Sequence, residues 1–242
     1  MLRRAVVLAA CLLAILPASP AFAQDGKTKH WGVSFSYTPS WKGADFWQDM
    51  LLVENADPPF EGNEFTIGFV RGATLGGDWG VSYVRKAIKD GFSTTSTETI
   101  SGSIPGGTYT NQSTDVLVFQ KVYYDGIEVH FFIPFVNIKN RVQIGINAGG
   151  GLGWTKGNIQ ETSDSVYTFT PTTGPPQAPQ ISHQVTEGPA TDVILAYQPL
   201  GKVEGQVAFI AAPGLKIKAS VGMNIPSNVA FRIGAVFLFG AK

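Results

Sequence analysis

The chain has 242 residues, with 18 Lys and Arg balancing 18 Asp and Glu, 44% apolar residues and only 15% charged ones. That is too apolar for a disordered chain, and a net charge of zero leaves no electrostatic footprint for nucleic acid. The single cysteine, Cys11, leaves the remainder able to form neither a disulfide nor a thiolate metal site.

Residues 1–23 have the form of a secretory signal. Arg3 and Arg4 give a positive start, Ala5 to Leu16 an apolar centre, and Ala21-Phe22-Ala23 a small-x-small cleavage site before Gln24. The apolar run is too short to cross a bilayer as a helix. Leu8-Ala9-Ala10-Cys11 also has the pattern of a lipoprotein signal, but cleavage there would leave too short an apolar centre. The expected division is therefore a signal peptide over 1–23 and one domain over 24–242, carrying 16 basic and 18 acidic residues.

That domain is built of segments alternating with period two, the mark of strands with two different faces. The first sets Trp31, Val33, Phe35 and Tyr37 against Gly32, Ser34 and Ser36. Phe65, Ile67 and Phe69 mark the second, and Trp79, Val81 and Tyr83 the third. The fourth is long, about Val116 to Phe135, with Ile127, Val129, Phe131, Ile133 and Phe135 on one side. In the fifth, Val142, Ile144, Ile146, Ala148, Gly150, Leu152 and Trp154 oppose Gln143, Gly145, Asn147, Gly149, Gly151 and Gly153. Val203, Val207 and Phe209 mark the sixth. The seventh alternates Leu215, Ile217, Ala219, Val221, Met223 and Ile225 with Lys216, Lys218, Ser220, Gly222 and Asn224. The last sets Val229, Phe231, Ile233, Ala235, Phe237 and Phe239 against Ala230, Arg232, Gly234, Val236 and Leu238.

Eight strands, an even number, predict an all-β, single eight-stranded antiparallel barrel with both ends on one side. Short connections are expected near Gly72–Asp78, Asn137–Asn140 and Ala211–Gly214. Ser40–Gly62 is intermediate, and Lys89–Thr114 and Lys156–Ala190 are long. Ser93–Thr114, rich in Ser, Thr and Gly, reads as a polar surface loop. Thr170–Pro179, with four prolines, cannot hold a ladder. Asp45–Glu54 places Phe46, Trp47, Met50, Leu51 and Val53 at helical spacing, as in a short amphipathic helix at a membrane or over the barrel mouth.

A soluble ligand-binding barrel would show the same stripe with its faces exchanged. Glycine decides between them. Gly145, Gly149, Gly151 and Gly153 on one face weaken a wetted strand for no gain, but inside a narrow barrel they make room for long side chains from facing strands. Trp31, Trp79 and Trp154, near strand ends on the apolar face, fit the aromatic girdles of a transmembrane barrel.

The last strand is the most specific. Arg232, Gly234, Phe237 and Phe239 resemble the polar-x-Gly-x-x-aromatic-x-aromatic signal of bacterial outer-membrane barrels, although such chains usually end on the aromatic and this one continues through Gly240-Ala241-Lys242. The whole 24–242 segment resembles the eight-stranded OmpA-like and OmpW-like barrels. That resemblance implies a location in the bacterial outer membrane, with its lipids and the outer-membrane barrel assembly machinery as partners. It also implies a non-enzymatic role, either structural and surface-interacting or as a narrow channel for small molecules, apolar ones included. No loop motif identifies a surface ligand.

The polar face holds the chemistry. Glu128, His130, Glu204, Lys216, Lys218 and Arg232 share the parity of the glycines and form a predicted lumen charge layer, because charges in a low-dielectric interior must pair or be solvated. Glu204 with Lys216 or Lys218 is one expected pairing across neighbouring strands, with Arg232 and Glu128 as nearer alternatives once strand heights are counted. Outer-membrane barrels include lipid-modifying enzymes, the rival class. Of the histidines, His30 precedes the first strand and His183 lies in the Pro-rich loop. Only His130 sits on a strand, beside Glu128, and no local nucleophile motif accompanies it. No cofactor, no metal site and no catalytic set is expected, since no two histidines have ligand spacing.

Overall fold

A computed structural model describes residues 28–43, 61–225 and 227–241. The expected signal peptide over 1–23 and the amphipathic Asp45–Glu54 lie outside the described residues. Ten strands follow in chain order: β1 His30–Gly43, β2 Glu61–Gly72, β3 Asp78–Ile88, β4 Ser93–Ile104, β5 Gly107–Ile138, β6 Val142–Pro171, β7 Gln180–Pro189, β8 Tyr197–Ala212, β9 Leu215–Ile225 and β10 Ser227–Leu238. A 3-10 turn, Ala190–Asp192, joins β7 to β8.

Eight of them close a ring in the order β1-β2-β3-β5-β6-β8-β9-β10, with β10 returning to β1. Every pairing in the ring is antiparallel. The ladder at the closing seam runs on past β10, where the Phe239 amide donates to the Trp31 carbonyl at 2.7 Å. Closure leaves no ring strand with an unpaired edge.

The burial pattern is the inverse of a soluble protein's. Arg232, Glu204, Glu64, Lys86 and Lys216 are buried, while Phe69, Val221, Phe231, Ile146 and Val203 are exposed. On β3 the two sets alternate residue by residue, as period two requires. The apolar face is therefore outside, and the surface it makes fits hydrocarbon rather than water. Aromatics gather at both margins of this band. Trp31 and Trp79 meet edge to face at 6.1 Å near the short turns, and Trp154 pairs with Tyr197 at the opposite end.

Inward glycines admit long side chains, as their placement in the sequence predicts. A Cβ on Gly149 would lie 3.1 Å from the Lys202 Cε, and one on Gly80 3.0 Å from the His130 ring. These positions trade strand stability for room inside a narrow barrel.

Three sequence expectations are corrected. Ser93–Thr114 is not a loop: it forms β4, a turn, and the first part of β5. His183 does not lie in a loop but on β7. Strands β5 and β6, of 32 and 30 residues, continue past the ring. Their outer parts, Gly107–Gln120 and Asn158–Pro171, pair with each other and take β4 and β7 on their flanks. The result is a four-stranded sheet, β4-β5-β6-β7, rising roughly 45 Å from the barrel at the usual rise per residue. The reason is that Thr is β-branched and favours a pleated surface, whereas composition alone reads a Ser/Thr run as loop. Thr170–Pro179 is corrected at its start, where Thr170 and Pro171 still pair with Thr108 and Gly107; the ladder stops there and resumes only at Gln180 on β7.

Candidate functional site: a filled lumen beneath an outer sheet

The lumen is best built from the short-turn end upward. There, Asp78 on β3 accepts from Lys218 at 2.8 Å and Lys216 at 3.4 Å, both on β9 across the barrel. Lys216 also donates to the Gly76 carbonyl at 2.7 Å. A second layer lies above. Arg232 on β10 meets Glu64 on β2 at 2.5 Å and Glu204 on β8 at 3.5 Å, and Lys86 on β3 meets Glu64 at 3.2 Å. Glu204 also accepts from Asn147 at 3.0 Å, Ser220 at 2.9 Å and Asn224 at 3.2 Å. Lys202 pairs with Glu128.

All six residues expected in the lumen charge layer thus have inward positions, but they are not partnered as expected. Glu204 does not pair with Lys216 or Lys218. On the β8–β9 ladder Glu204 lies opposite Gly222, while Lys218 lies opposite Ala208 and Lys216 opposite Ile210. Those offsets of four and six residues amount to ~13 and ~20 Å along the strands, beyond a lysine's reach. Asp78, on a strand far away in sequence, serves both lysines instead. Four charged members were missed: Glu64, Asp78, Lys86 and Lys202. Their signal was present, because outward Phe65, Ile67, Trp79, Val81, Val203 and Val207 dictate that their even-numbered neighbours point in.

His130 lies within the same packing, its Nδ1 3.3 Å from the Ser82 hydroxyl. Ser82 is the nucleophile type that no local motif supplied, brought from β3 by the β3–β5 register. Ser82 is 1% exposed and His130 6%, and the Glu128 carboxylate is engaged by Lys202.

Above the charges an apolar cluster fills the upper barrel: Ile88, Phe92, Phe119, Val122, Tyr124 and Ile159, joined by Ala190 and Ile194 from the β7–β8 connection. Phe92 and Phe119 pack at 5.8 Å. Within the charged layer a cavity of about 40 Å³ touches His130, Asn147, Lys202, Lys218 and Arg232. That is room for about one water. At the short-turn end a wider cavity of about 630 Å³ opens among Thr74, Leu75, Asn140, Arg141 and Pro213.

The outer sheet differs in chemistry. It carries Glu98, Asp115, Glu161, Asp164 and Glu187 but no Lys or Arg within Ser93–Ile104, Gly107–Gln120, Asn158–Pro171 or Gln180–Pro189. Hydroxyl pairs cross it, Thr97 with Thr114 at 3.4 Å and Ser101 with Thr110 at 3.3 Å, and His183 meets Asp164 at 2.6 Å. At its base the chain turns sharply through Lys121 (φ 51°) and Gly157 (φ 110°), where the β5–β6 register shifts.

A closed ring, lipid-facing apolar strands, aromatic margins and a polar interior define a transmembrane β-barrel of the bacterial outer-membrane type. The short turns and chain ends mark its periplasmic side, and the sheet its outer side. No protein-family model matches the chain, and no curated protein matches its sequence. Among solved structures it is similar to Ail, the attachment invasion locus protein of Yersinia pestis, at 10% identity and a TM-score of 0.34 over 88% of this chain and 99% of that one. Ail in complex with the heparin analogue sucrose octasulfate matches at 14% identity and TM-score 0.30, over 87% of this chain and 99% of that one. The translocator domain of the autotransporter NalP from Neisseria meningitidis matches at 9% identity and TM-score 0.27, over 98% and 96%. Likenesses at this level carry nothing about what the protein binds.

Proposed function

We propose that this chain is a surface-interaction barrel, in which the transmembrane ring is an anchor and the outer β4–β7 sheet is the working surface. The observation that carries this reading is the filled lumen under a built sheet. Nine charged side chains and an apolar cap occupy the space a conducting pathway would need. Two of the longest strands in the chain meanwhile continue well beyond the bilayer. A channel gains nothing from such an extension; a recognition surface does.

The lipid-modifying reading fares less well. A Ser–His contact, Ser82 with His130, is enclosed in the charged layer, and a lipid substrate would have to cross the barrel wall to reach it. Catalysis needs that approach.

The test is a surface assay. Cells displaying the full chain are compared with cells displaying a variant whose outer hairpins, 95–116 and 162–185, are replaced by short turns, which leaves Phe92, Phe119 and Ile159 in place. Both barrels should resist denaturation by detergent in the cold. Adhesion to animal cell layers or to other bacteria should be present with the full chain and lost with the shortened one. Equal adhesion by the two would overturn the assignment of function to the sheet.

A further inference from the structure

Resting on the reading of the outer sheet as the working surface, we infer that one of its faces is a binding platform for uncharged saccharides. Three aromatic side chains are brought to that face by register alone. Tyr109 on β5 lies opposite Phe169 on β6, and Asn111, two residues on, lies opposite Tyr167. The three rings therefore share one side of the sheet.

These rings lie down on the sheet instead of standing from it. A Cβ placed on Gly102, the β4 residue opposite Tyr109, would meet the Tyr109 ring at 2.7 Å. One placed on Gly107 would meet the Phe169 ring at 2.6 Å. Tyr109 and Phe169 thus lie over bare glycine backbone. Tyr109 and Tyr167 are tilted by only 22°, with centres 6.0 Å apart. Nearly parallel rings at that spacing are offset-stacked, and all three side chains keep part of their surface in solvent. The floor so made is aromatic and partly open to solvent.

The chemistry around this floor selects the occupant. Asn111, Ser165, Gln180 and Ser182 lie on the same face beside the rings and offer amide and hydroxyl donors and acceptors. A pyranose ring presents an apolar C–H face to stack on an aromatic plane and hydroxyls around its edge to meet such groups. Charge excludes the acidic sugars. Glu98, Asp115 and Glu161 stand on this face, and the sheet has no Lys or Arg to neutralise a sulfate or carboxylate. A polyanion would be repelled and a neutral oligosaccharide would not.

The experiment applies the full-length barrel in detergent to an array of immobilised oligosaccharides in which neutral hexose and N-acetylhexosamine chains stand beside sulfated and sialylated ones. The expected result is binding to neutral members alone. Tyr109→Ala and Tyr167→Ala should each weaken it about tenfold or more, the behaviour of an aromatic anchor. Tyr109→Phe, which keeps the ring, should stay within about twofold of the parent. Unchanged mobility of the unheated protein on a gel confirms that each variant is folded. Binding confined to acidic members, binding indifferent to the alanine variants, or no binding to any member would overturn the inference. Hairpin removal separates the two proposals: if it abolishes adhesion while the array stays blank, the sheet is the working surface but its partner is not a neutral sugar. If it changes nothing, both fall.

Discussion

Glu64 bridges two of the lumen's buried cations. It faces Arg232 at 2.5 Å and Lys86 at 3.2 Å, and accepts from Thr66 at 3.3 Å. Neutralising it would leave two cations in a low-dielectric interior with one shared counter-charge removed. Glu64→Gln is therefore expected to cost about 3–5 kcal/mol, the usual penalty for orphaning a buried charge. Urea unfolding in lipid vesicles measures this, and an unchanged midpoint would mean that water solvates the layer. That such a residue escapes a reading of the sequence has a physical cause. Strands β2 and β3 announce themselves by their outward Phe, Trp and Val residues, and the inward partner set follows only if parity is carried through every neighbour. Glu128, Glu204 and Arg232 are legible because their strands alternate over many residues. The pairing of Asp78 with Lys216 and Lys218 is not legible, because it spans about 140 positions and is fixed by barrel stagger.

Among the strands, β10 and the β5–β6 hairpin show what patterning can and cannot deliver. β10 holds Arg232, Gly234 and Phe237 of the proposed assembly signal, and Phe237 and Phe239, the latter just past the strand's end, are outward and meet edge to face at 5.6 Å. Replacing Phe237 and Phe239 together by Ala should lower the amount of folded barrel in the outer membrane while leaving secretion intact. Phe239→Leu, which keeps most of the apolar area, should also lower it if the assembly machinery reads the aromatic itself. Normal assembly of the double Ala variant, followed by the gel mobility of unheated membranes, would refute the signal. The β5–β6 hairpin is harder to foresee. Inside the bilayer its strands alternate apolar with polar. Past Lys121 and Gly157 only Leu117, Phe119 and Ile159 still pack into the apolar cluster; farther out the hydrophobic stripe disappears, and with it the period that identifies a strand. Only the Thr content of β4 and its partners signals extended chain there. The ring was thus readable and the sheet above it was not, which is why the tyrosine floor could not be placed from sequence.

Taken whole, the molecule joins a rigid plug to a projecting surface, and conductance is the property on which this picture is most exposed. The charged layer and the apolar cluster lie in series along the barrel axis, so opening either alone leaves the other in place. The parent protein in planar bilayers should therefore show no steady current, and steady current from it would mean that the lumen is open. Glu128→Gln combined with Glu204→Gln removes the counter-charge of Lys202 and one of the two carboxylates facing Arg232. The uncompensated cations then repel one another and draw in water. The double variant should unfold at lower temperature than the parent. Any current it passes should prefer anions and weaken its preference as salt rises, since screening at 1 M confines a charge's influence to about 3 Å. A double variant as silent and as heat-resistant as the parent would show that these carboxylates do not hold the layer together, leaving the apolar cap as the seal.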